Sequence, residues 1–479
     1  APSYKHMLWG LFLFNLVIKL VSVPLNLAEY TDGILQLTLF DNPNRLYPPL
    51  FTILSLALHR IIPGDLETAG RIVSALSSAL IVFPLMSAAR RIFGDRAALF
   101  AGILYSIAPV PMRWSVHAMT DALFAFLFFL SVSYILKAAL EEEGRDINLA
   151  VATVIAVAAM MTRYQGMLLA APMALVWLEG LKRRGRRSLI PVAAQFLWLI
   201  PLLWIIHSGF RHPEQFSERA GDNFFLTIVN IILLSESFLL YSPYFLTWPV
   251  CFAFLAGLFL QDWRRREQIR LFLLFGLLLV MTLILQAAFS SFQSRYLLPL
   301  VPFVCIFAGH GLKTLEERWR TRPAAFKMLL GITICWSLLF SFGTLFLQNQ
   351  AWGDLKDAAD FVRRLPPDTP VYSNEAYKDL GPVKMRYWSG REVLPFTGQP
   401  LPSGSVLCLH SAHGGAAAFA RTSRWLQESQ GAKSVLTFDS FLVPLLPDIM
   451  QEPMSHQNPL ALTFRYTPQK FRTEIFRIP

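Results

Sequence analysis

The chain has little charge for its length. Of its 479 residues only 16% are charged, whereas 54% are hydrophobic. In a soluble globular protein about a quarter of the residues are charged. The mean hydropathy is +0.44, and apolar runs of roughly 20 residues, the length of a transmembrane helix, recur along the chain. These values exclude an ordinary soluble enzyme and indicate a polytopic membrane protein.

Cysteine and nucleotide-binding motifs are also scarce. Of the four cysteines, Cys251, Cys305 and Cys335 lie in apolar spans and Cys408 is alone in the tail, so no disulfide framework is implied. The sequence has no glycine-rich phosphate fingerprint, no metal-spaced cysteine set and no internal repeat. The first apolar run lacks a small-residue cleavage pattern, and we interpret it as a span. The net charge of +11 fits cytoplasmic loops, so we predict no nucleic-acid partner.

Basic clusters determine the expected topology. They are Lys5, Arg90 with Arg91, Lys182–Arg187, Arg264–Arg266 and Arg318–Arg322. Because Lys and Arg concentrate in cytoplasmic loops, all should lie on one side, which requires that the short run Leu50–Ile62 does not cross. This gives about eleven spans with a cytoplasmic N-terminus. They are expected at Met7–Leu27, Ala69–Ala89, Ala97–Val110, Ala122–Leu140, Leu149–Met161, Met167–Leu181, Leu189–His207, Phe238–Leu260, Leu271–Phe289, Tyr296–Leu312 and Phe326–Leu347.

The chain after Gln348 is polar, in contrast to the apolar runs before it. We expect residues 1–347 to form the transmembrane module and residues 348–479 a small α/β domain outside the cytoplasm. Its helices should cover Gly353–Arg364 and Ala416–Glu428, and its strands Val371–Ser373, Ser405–Leu409 and Ser434–Phe438. The predicted fold class is therefore membrane all-α, with about eleven transmembrane helices, outer juxtamembrane helices and a small C-terminal α/β soluble domain.

Charged side chains gather on the expected outer face. They are Glu29, Asp32, Arg45, Arg71, Arg113, His117, Asp121, Arg163 and Arg295. Taken singly, Asp32 could be a helix cap, each arginine could reach to the interface, and His117 could be a capping residue. Charges at a membrane are costly, however, and are candidates for function. Arginines suit a phosphate group, and a nearby carboxylate suits deprotonation of a hydroxyl.

The outer face limits the chemistry available to such a site. Nucleotide sugars are absent there, so an activated sugar must arrive on a lipid phosphate. That leaving group is a stabilised anion, which needs cations but no general acid. One carboxylate then suffices as the base, unlike glycoside hydrolysis, in which a second carboxyl protonates the leaving oxygen. One carboxylate together with several arginines matches in-line displacement with inversion. Electrostatic stabilisation of the leaving phosphate would make the largest contribution to catalysis.

Short motifs follow one another between Met7 and Leu312. They are the acids Glu29 and Asp32, Tyr47-Pro48-Pro49-Leu50-Phe51, Gly70-Arg71-Ile72-Val73-Ser74, Arg90-Arg91-Ile92-Phe93-Gly94, Thr162-Arg163-Tyr164-Gln165-Gly166 and Ser294-Arg295-Tyr296-Leu297-Leu298-Pro299. In order and sidedness they resemble the GT-C superfamily of integral-membrane glycosyltransferases. The resemblance is greatest to the branch that contains protein O-mannosyltransferases and lipid A aminoarabinose transferases.

The resemblance implies roles for particular residues. Asp32 would be the catalytic base; because the family motif often pairs two adjacent acids, Glu29 remains an alternative. The donor phosphate would be bound by Arg295, Arg163, Arg45 and Arg71, and a second acidic or acceptor site would contain Asp121, His117 and Arg113. Relatives often carry a basic residue before Pro-Pro, where this chain has Tyr47. The Trp-Trp-Asp motif of oligosaccharyltransferases is absent.

The expected function is that of an inverting glycosyltransferase in the cytoplasmic (inner) membrane. Its donor would be a polyprenyl-phosphate-linked sugar, and its acceptor an extracytoplasmic glycolipid, polysaccharide or protein. We predict no metal and no cofactor, although Asp65-Leu66-Glu67 has an acidic DxE spacing. The alternative is a polytopic lipid or solute transporter or flippase. Transporters tend to show internal repeats and charges near the middle of the membrane, whereas the charges here cluster at its outer boundary.

Overall fold

The structure is a computed structural model that describes residues 3–41, 47–184, 189–211, 246–288, 294–375, 380–412, 415–442 and 469–479. Helices make up most of the chain before residue 350. They are α1 (Tyr4–Ser22), α2 (Thr31–Leu37), α3 (Leu50–His59), α4 (Leu66–Leu80), α5 (Val82–Phe93), α6 (Asp95–Ile107), α7 (Pro109–Trp114), α8 (Thr120–Leu140), α9 (Arg145–Met160), α10 (Ala170–Arg184), α11 (Leu189–Gln195), α12 (Leu199–Arg211), α13 (Trp248–Phe259), α14 (Arg266–Ala288), α15 (Val301–Arg318) and α16 (Pro323–Gln348). Short 3₁₀ helices cover Val23–Leu25, Tyr164–Leu169, Phe196–Trp198 and Ser294–Leu300.

Six helical stretches are long and apolar enough to cross a membrane. Within the described residues these are Tyr4–Leu25, Leu66–Phe93, Thr120–Leu140, Arg266–Leu285, Arg295–Arg318 and Pro323–Leu347. The protein is therefore an integral membrane protein. Most of the remaining expected spans coincide with shorter helices, and one begins in residues outside the described part. The number of eleven stays a prediction. Helix α3 has ten residues, in agreement with a run that does not cross.

Helix α15 lies at the centre of the helical part. Its residues from Val301 to Leu312 are all buried, and it packs against α6 and α13. Backbones approach very closely here, because a Cβ atom on Gly257 would collide with the carbonyl oxygen of Phe307, and one on Gly311 would collide with that of Ala253. Small residues at such crossings permit the close packing on which helix association in membranes depends.

The C-terminal part contains a five-stranded mixed sheet. Its helices are α17 (Gly353–Arg363), α18 (Val383–Ser389) and α19 (Gly415–Gln430), and its strands are β1 (Val371–Ser373), β2 (Leu394–Pro395), β3 (Val406–His410), β4 (Lys433–Leu442) and β5 (Gln469–Arg477). The strand order is β2-β1-β3-β5-β4. Strand β1 is parallel to β2 and β3, whereas β5 is antiparallel to β3 and β4. The predicted strands and helices lie where the sequence placed them; β2, β5 and α18 were not foreseen.

The short helix α2 lies between the two parts of the chain. It packs against α3 and α4 on one side and against α18 on the other. Its Ile34 belongs to the same buried cluster as Leu355, Met385 and Trp388 of the C-terminal part. A Cβ atom on Gly33 would lie 2.9 Å from the carbonyl oxygen of Ala118. The fold therefore fixes α2 from both sides.

Candidate active site

Asp32 occupies the first turn of α2, where a negative charge is favoured by the helix dipole. Its Oδ2 accepts a hydrogen bond from Nη2 of Arg295 at 2.8 Å, and its Oδ1 accepts one from the hydroxyl of Tyr47 at 3.0 Å. Burial alone would raise the pKa of Asp32, but the charge of Arg295 and the hydrogen bonds from Arg295 and Tyr47 outweigh burial and lower it. The side chain is 17% exposed. Asp32 is thus an ionised carboxylate that a small polar group can reach.

Tyr296 brings a second carboxylate and a second arginine close to this pair. The guanidinium of Arg295 lies 5.3 Å from the centroid of the Tyr296 ring, and that of Arg163 lies 5.0 Å from it. Arg163 Nη1 forms a short hydrogen bond with Oδ1 of Asp121. Cation–π contacts of this kind stabilise and orient a guanidinium group. One aromatic ring therefore sets the spacing of two arginine–aspartate pairs.

A third arginine lies on the α7 side of the cluster. Arg113 is buried, and its Nη2 donates to the hydroxyl of Tyr30 at 2.7 Å, while its guanidinium lies 4.8 Å from the centroid of the Trp114 ring. Burial and the charge of Arg295 lower the pKa of Arg113, against the effect of Tyr30. Three arginines therefore surround two aspartates within the described residues, which leaves an excess of positive charge.

Glu29, the alternative base, has a different environment. Its side chain is 0% exposed. Oε1 accepts from Asn26 Nδ2 at 2.8 Å and from Arg71 Nε at 2.7 Å, and Oε2 lies 3.1 Å from Nδ1 of His117. Nε2 of His117 in turn lies 3.3 Å from Oδ1 of Asn349 at the end of α16. Burial opposes the shift, but the charges of Arg71 and His117 lower the pKa of Glu29 to about 2. With both oxygens bonded and no solvent contact, Glu29 is a structural anion.

Glu67 joins the same network to the C-terminal part. Its Oε1 forms a short ion pair with Arg71 Nη2 and accepts from Lys356 Nζ at 2.9 Å, and its Oε2 accepts from the indole Nε1 of Trp388 at 3.1 Å. Asp65 instead caps α4 by accepting from the Thr68 amide at 2.7 Å. The two acids of the DxE spacing therefore serve separate structural roles, and Arg71 is held between two glutamates.

The predicted site residues thus divide into two groups. Those that lie together around the candidate base are Asp32, Arg295, Arg163, Asp121 and Arg113; those that form the buried network beneath α2 are Glu29, Arg71 and His117. Arg45 lies outside the described residues. The sequence reasoning missed Tyr47 as a hydrogen-bond partner of Asp32, although Tyr47 had drawn notice as a departure before Pro-Pro. The role of Tyr296 was also not predicted, and Glu67 stood out in the sequence only through its DxE spacing with Asp65, which did not indicate its place in this network.

Part of the chain matches a known protein family, and its fold is similar to solved structures. Residues 47–207 match the family model described as dolichyl-phosphate-mannose-protein mannosyltransferase, which covers less than half of the chain. The structure of ArnT from Cupriavidus metallidurans bound to undecaprenyl phosphate is similar, with a TM-score of 0.58 at 18% identity over 88% of this chain and 95% of that one. No curated protein sequence matches.

Two further solved structures share the fold. The oligosaccharyltransferase AglB from Archaeoglobus fulgidus, in complex with an inhibitory peptide and a dolichol-phosphate, gives a TM-score of 0.54 at 14% identity over 82% of this chain and 65% of that one. The arabinofuranosyltransferase AftD from Mycobacteria gives 0.52 at 13% over 100% and 40%. The chain thus has the fold of the GT-C integral-membrane glycosyltransferases, and the predicted resemblance is confirmed. Within that class, the stretch from Tyr47 to His207 matches the protein mannosyltransferase family.

Proposed function

We propose that this protein is an inverting glycosyltransferase that moves a sugar from a polyprenyl-phosphate-linked donor to an acceptor outside the cytoplasm. The observation that carries the proposal is the ionised Asp32, hydrogen-bonded to Arg295 beside Arg163 and Arg113. A base next to surplus positive charge is what transfer from a lipid phosphate requires, because the carboxylate takes the proton and the arginines stabilise the departing phosphate.

The reaction follows from these positions. A hydroxyl oxygen of the acceptor attacks the anomeric carbon while Asp32 takes its proton. The bond between that carbon and the phosphate oxygen breaks, and the electron pair leaves with the polyprenyl phosphate. Attack opposite the leaving group inverts the anomeric configuration. Arg295 is suited to the phosphate, and as it turns from Asp32 toward that anion, the pKa of Asp32 rises toward its ordinary value. Donor binding would therefore make the base stronger.

Tyr47 is the group that the acceptor has to displace. Its hydroxyl lies 3.0 Å from Oδ1 of Asp32, which is the distance expected for an acceptor hydroxyl that is about to lose its proton. The donor class is supported by the lipid phosphates named in the ArnT and AglB structures. The acceptor would be a glycolipid, a polysaccharide or a protein. We place the N-terminus in the cytoplasm and the C-terminal part outside, in accord with the basic clusters.

The test is sugar transfer by the purified full chain in lipid nanodiscs. The donor is a polyprenyl-phosphate sugar, and products are identified by mass spectrometry with acceptors of the three classes. Wild-type protein should consume the donor and release polyprenyl phosphate, whereas Asp32→Asn should lose about 10²-fold or more of kcat/KM. Absence of turnover by the wild type with donors of several sugars would contradict the proposal.

A further inference from the structure

A buried lysine of the C-terminal part lies next to the helix that carries Asp32. Lys384 is the second residue of α18, and α18 packs against α2. The residue is 2% exposed. Tyr387, one turn further along α18, packs on the buried cluster that contains Leu37 of α2. Asp32 is close enough that its charge raises the pKa of Lys384. The C-terminal part therefore brings a cation to the edge of the candidate active site.

The ammonium group of Lys384 donates no hydrogen bond to a carboxylate among the described residues. Its nearest carboxylate oxygen among the described residues is Oε1 of Glu375, at 4.0 Å, which is beyond hydrogen-bond distance. The two oxygens of that carboxylate accept instead from the backbone amides of Lys384 and Met385, at 3.0 Å each. A buried ammonium group without a bonded acceptor is costly. A ligand that supplies anionic oxygens would remove this cost.

Trp352 holds the lysine in place. Nζ of Lys384 lies 3.2 Å from the centroid of the Trp352 ring, and the ring stacks against those of His410 and Phe471. Trp352 has a φ of 70°, a left-handed conformation that is strained for a bulky residue. The fold maintains this strained backbone at the position from which the indole ring supports the ammonium group.

Two of the arginines near Asp32 already have carboxylate partners. Arg295 pairs with Asp32 and Arg163 with Asp121, while Arg71 is enclosed by two glutamates farther away. The chain also has Tyr47 before Pro-Pro, where a basic residue would otherwise contribute charge. A phosphate dianion needs cations with donors available. Lys384 meets that requirement, since it is a compact point charge without a hydrogen-bonded partner among the described residues.

We propose that Lys384 is a phosphate ligand of the active site, supplied by the C-terminal part, and that it binds the phosphate of the polyprenyl carrier together with Arg295. The inference rests on the proposed function and adds a residue to it. It makes the C-terminal part a contributor to donor binding. Lys384 would hold the leaving phosphate and take no part in moving the acceptor proton.

The experiment measures binding of undecaprenyl phosphate to the purified full chain in nanodiscs, without turnover. The Lys384→Met variant should bind it about tenfold more weakly or worse, as expected for loss of a charge-assisted hydrogen bond. Lys433→Met removes an exposed lysine of the same part and should leave affinity unchanged. Undecaprenol, which lacks the phosphate, should bind equally to all three proteins. Equal phosphate affinity of the two variants would overturn the inference and leave the proposed function intact, whereas a wild type that does not bind the phosphate would contradict both.

Measuring the affinity for undecaprenyl phosphate as a function of pH distinguishes phosphate binding by Lys384 from a purely structural role. This measurement tests the inference even if Lys384→Met folds poorly. Burial lowers the pKa of Lys384 to about 8, although the charges of Glu375, Asp354 and Asp32, which face it, raise it. The ammonium is charged below that value and loses its proton above it, so wild-type affinity should fall several-fold between pH 7 and pH 9. Lys384→Arg should retain binding without the fall, since arginine stays protonated. The assignment would be refuted if the affinity of Lys384→Arg fell in the same way, or if the affinity of the wild type did not fall.

Discussion

Separate substitutions of Glu29 and Asp32 should affect different properties. The substitution of Glu29 should mainly lower stability, and that of Asp32 should mainly lower activity. Glu29 is fully buried with both oxygens bonded, so Glu29→Gln should destabilise the fold. Although burial raises the pKa of Glu29, the charges of Arg71 and His117 lower it below the ordinary value of 4.5. Breaking such a buried ion pair costs roughly 3–5 kcal/mol. Because the pKa is lowered on folding, this stabilisation is present above pH 4.5 and is lost as the pH falls toward 2.

Asp32→Asn should have the opposite profile. The residue is partly exposed and its amide can still accept one hydrogen bond, so the stability loss should be about 1 kcal/mol. Loss of a general base should lower kcat/KM by about 10²–10⁴-fold, which is roughly 3–5 kcal/mol in the barrier. We would record the melting temperature and steady-state transfer of both variants in the same nanodiscs. A Glu29→Gln variant with unchanged melting and lost turnover would refute this division of roles, as would an Asp32→Asn variant within threefold of wild type.

Three further outcomes follow from the contacts. Arg295→Lys should lower kcat/KM by about 10²-fold, because bidentate binding of the phosphate is lost, and the acid limb of the pH–rate profile should move to higher pH as the pKa of Asp32 rises. Glu67→Gln should lower the melting temperature, since the buried Arg71 and the half-buried Lys356 lose their common anion; an unchanged melting curve would contradict the docking role of this residue. Ile34→Ala should destabilise by about 2–4 kcal/mol and, measured below its melting temperature, should also lower kcat, because Ile34 fixes the helix that carries Asp32; full activity would show that α2 is placed by other contacts.

Local patterns in the sequence predicted much of the secondary structure, and distant pairing explains what they missed. The strands Val371–Ser373 and Val406–His410 are short apolar runs bounded by turn residues, so the pattern alone reveals them. Strand β5 carries Lys470, Arg472, Glu474 and Arg477 among its nine residues, and its identity as a strand comes from pairing with β3 and β4. Long-range pairing of this kind leaves no local signature in a charged segment.

The candidate site also combines features that the local sequence reveals with contacts that only the fold creates. The acids and the Arg295 motif could be predicted by resemblance and sidedness, yet the contact between Asp32 and Arg295 joins residues 263 positions apart. The choice between Glu29 and Asp32 could not be made from spacing, because it depends on burial and on partners such as Arg71. Lys384 gave no signal, since a lysine in a polar tail resembles any exposed lysine until the fold buries it.

The position of Asp32 ultimately depends on tertiary contacts on two sides of α2. Helix α2 has seven residues, fewer than the roughly 12–15 that an isolated helix needs in water, and its internal glycine weakens it further. That glycine is required, because a side chain at Gly33 would meet the backbone of the loop at Ala118. On the opposite side, Ile34 is buried against the C-terminal part. If Asp32 is the base, as we propose, a carboxylate on so short a helix can be held to the accuracy that proton transfer requires only if both contacts persist. The C-terminal part would then be an integral component of the site.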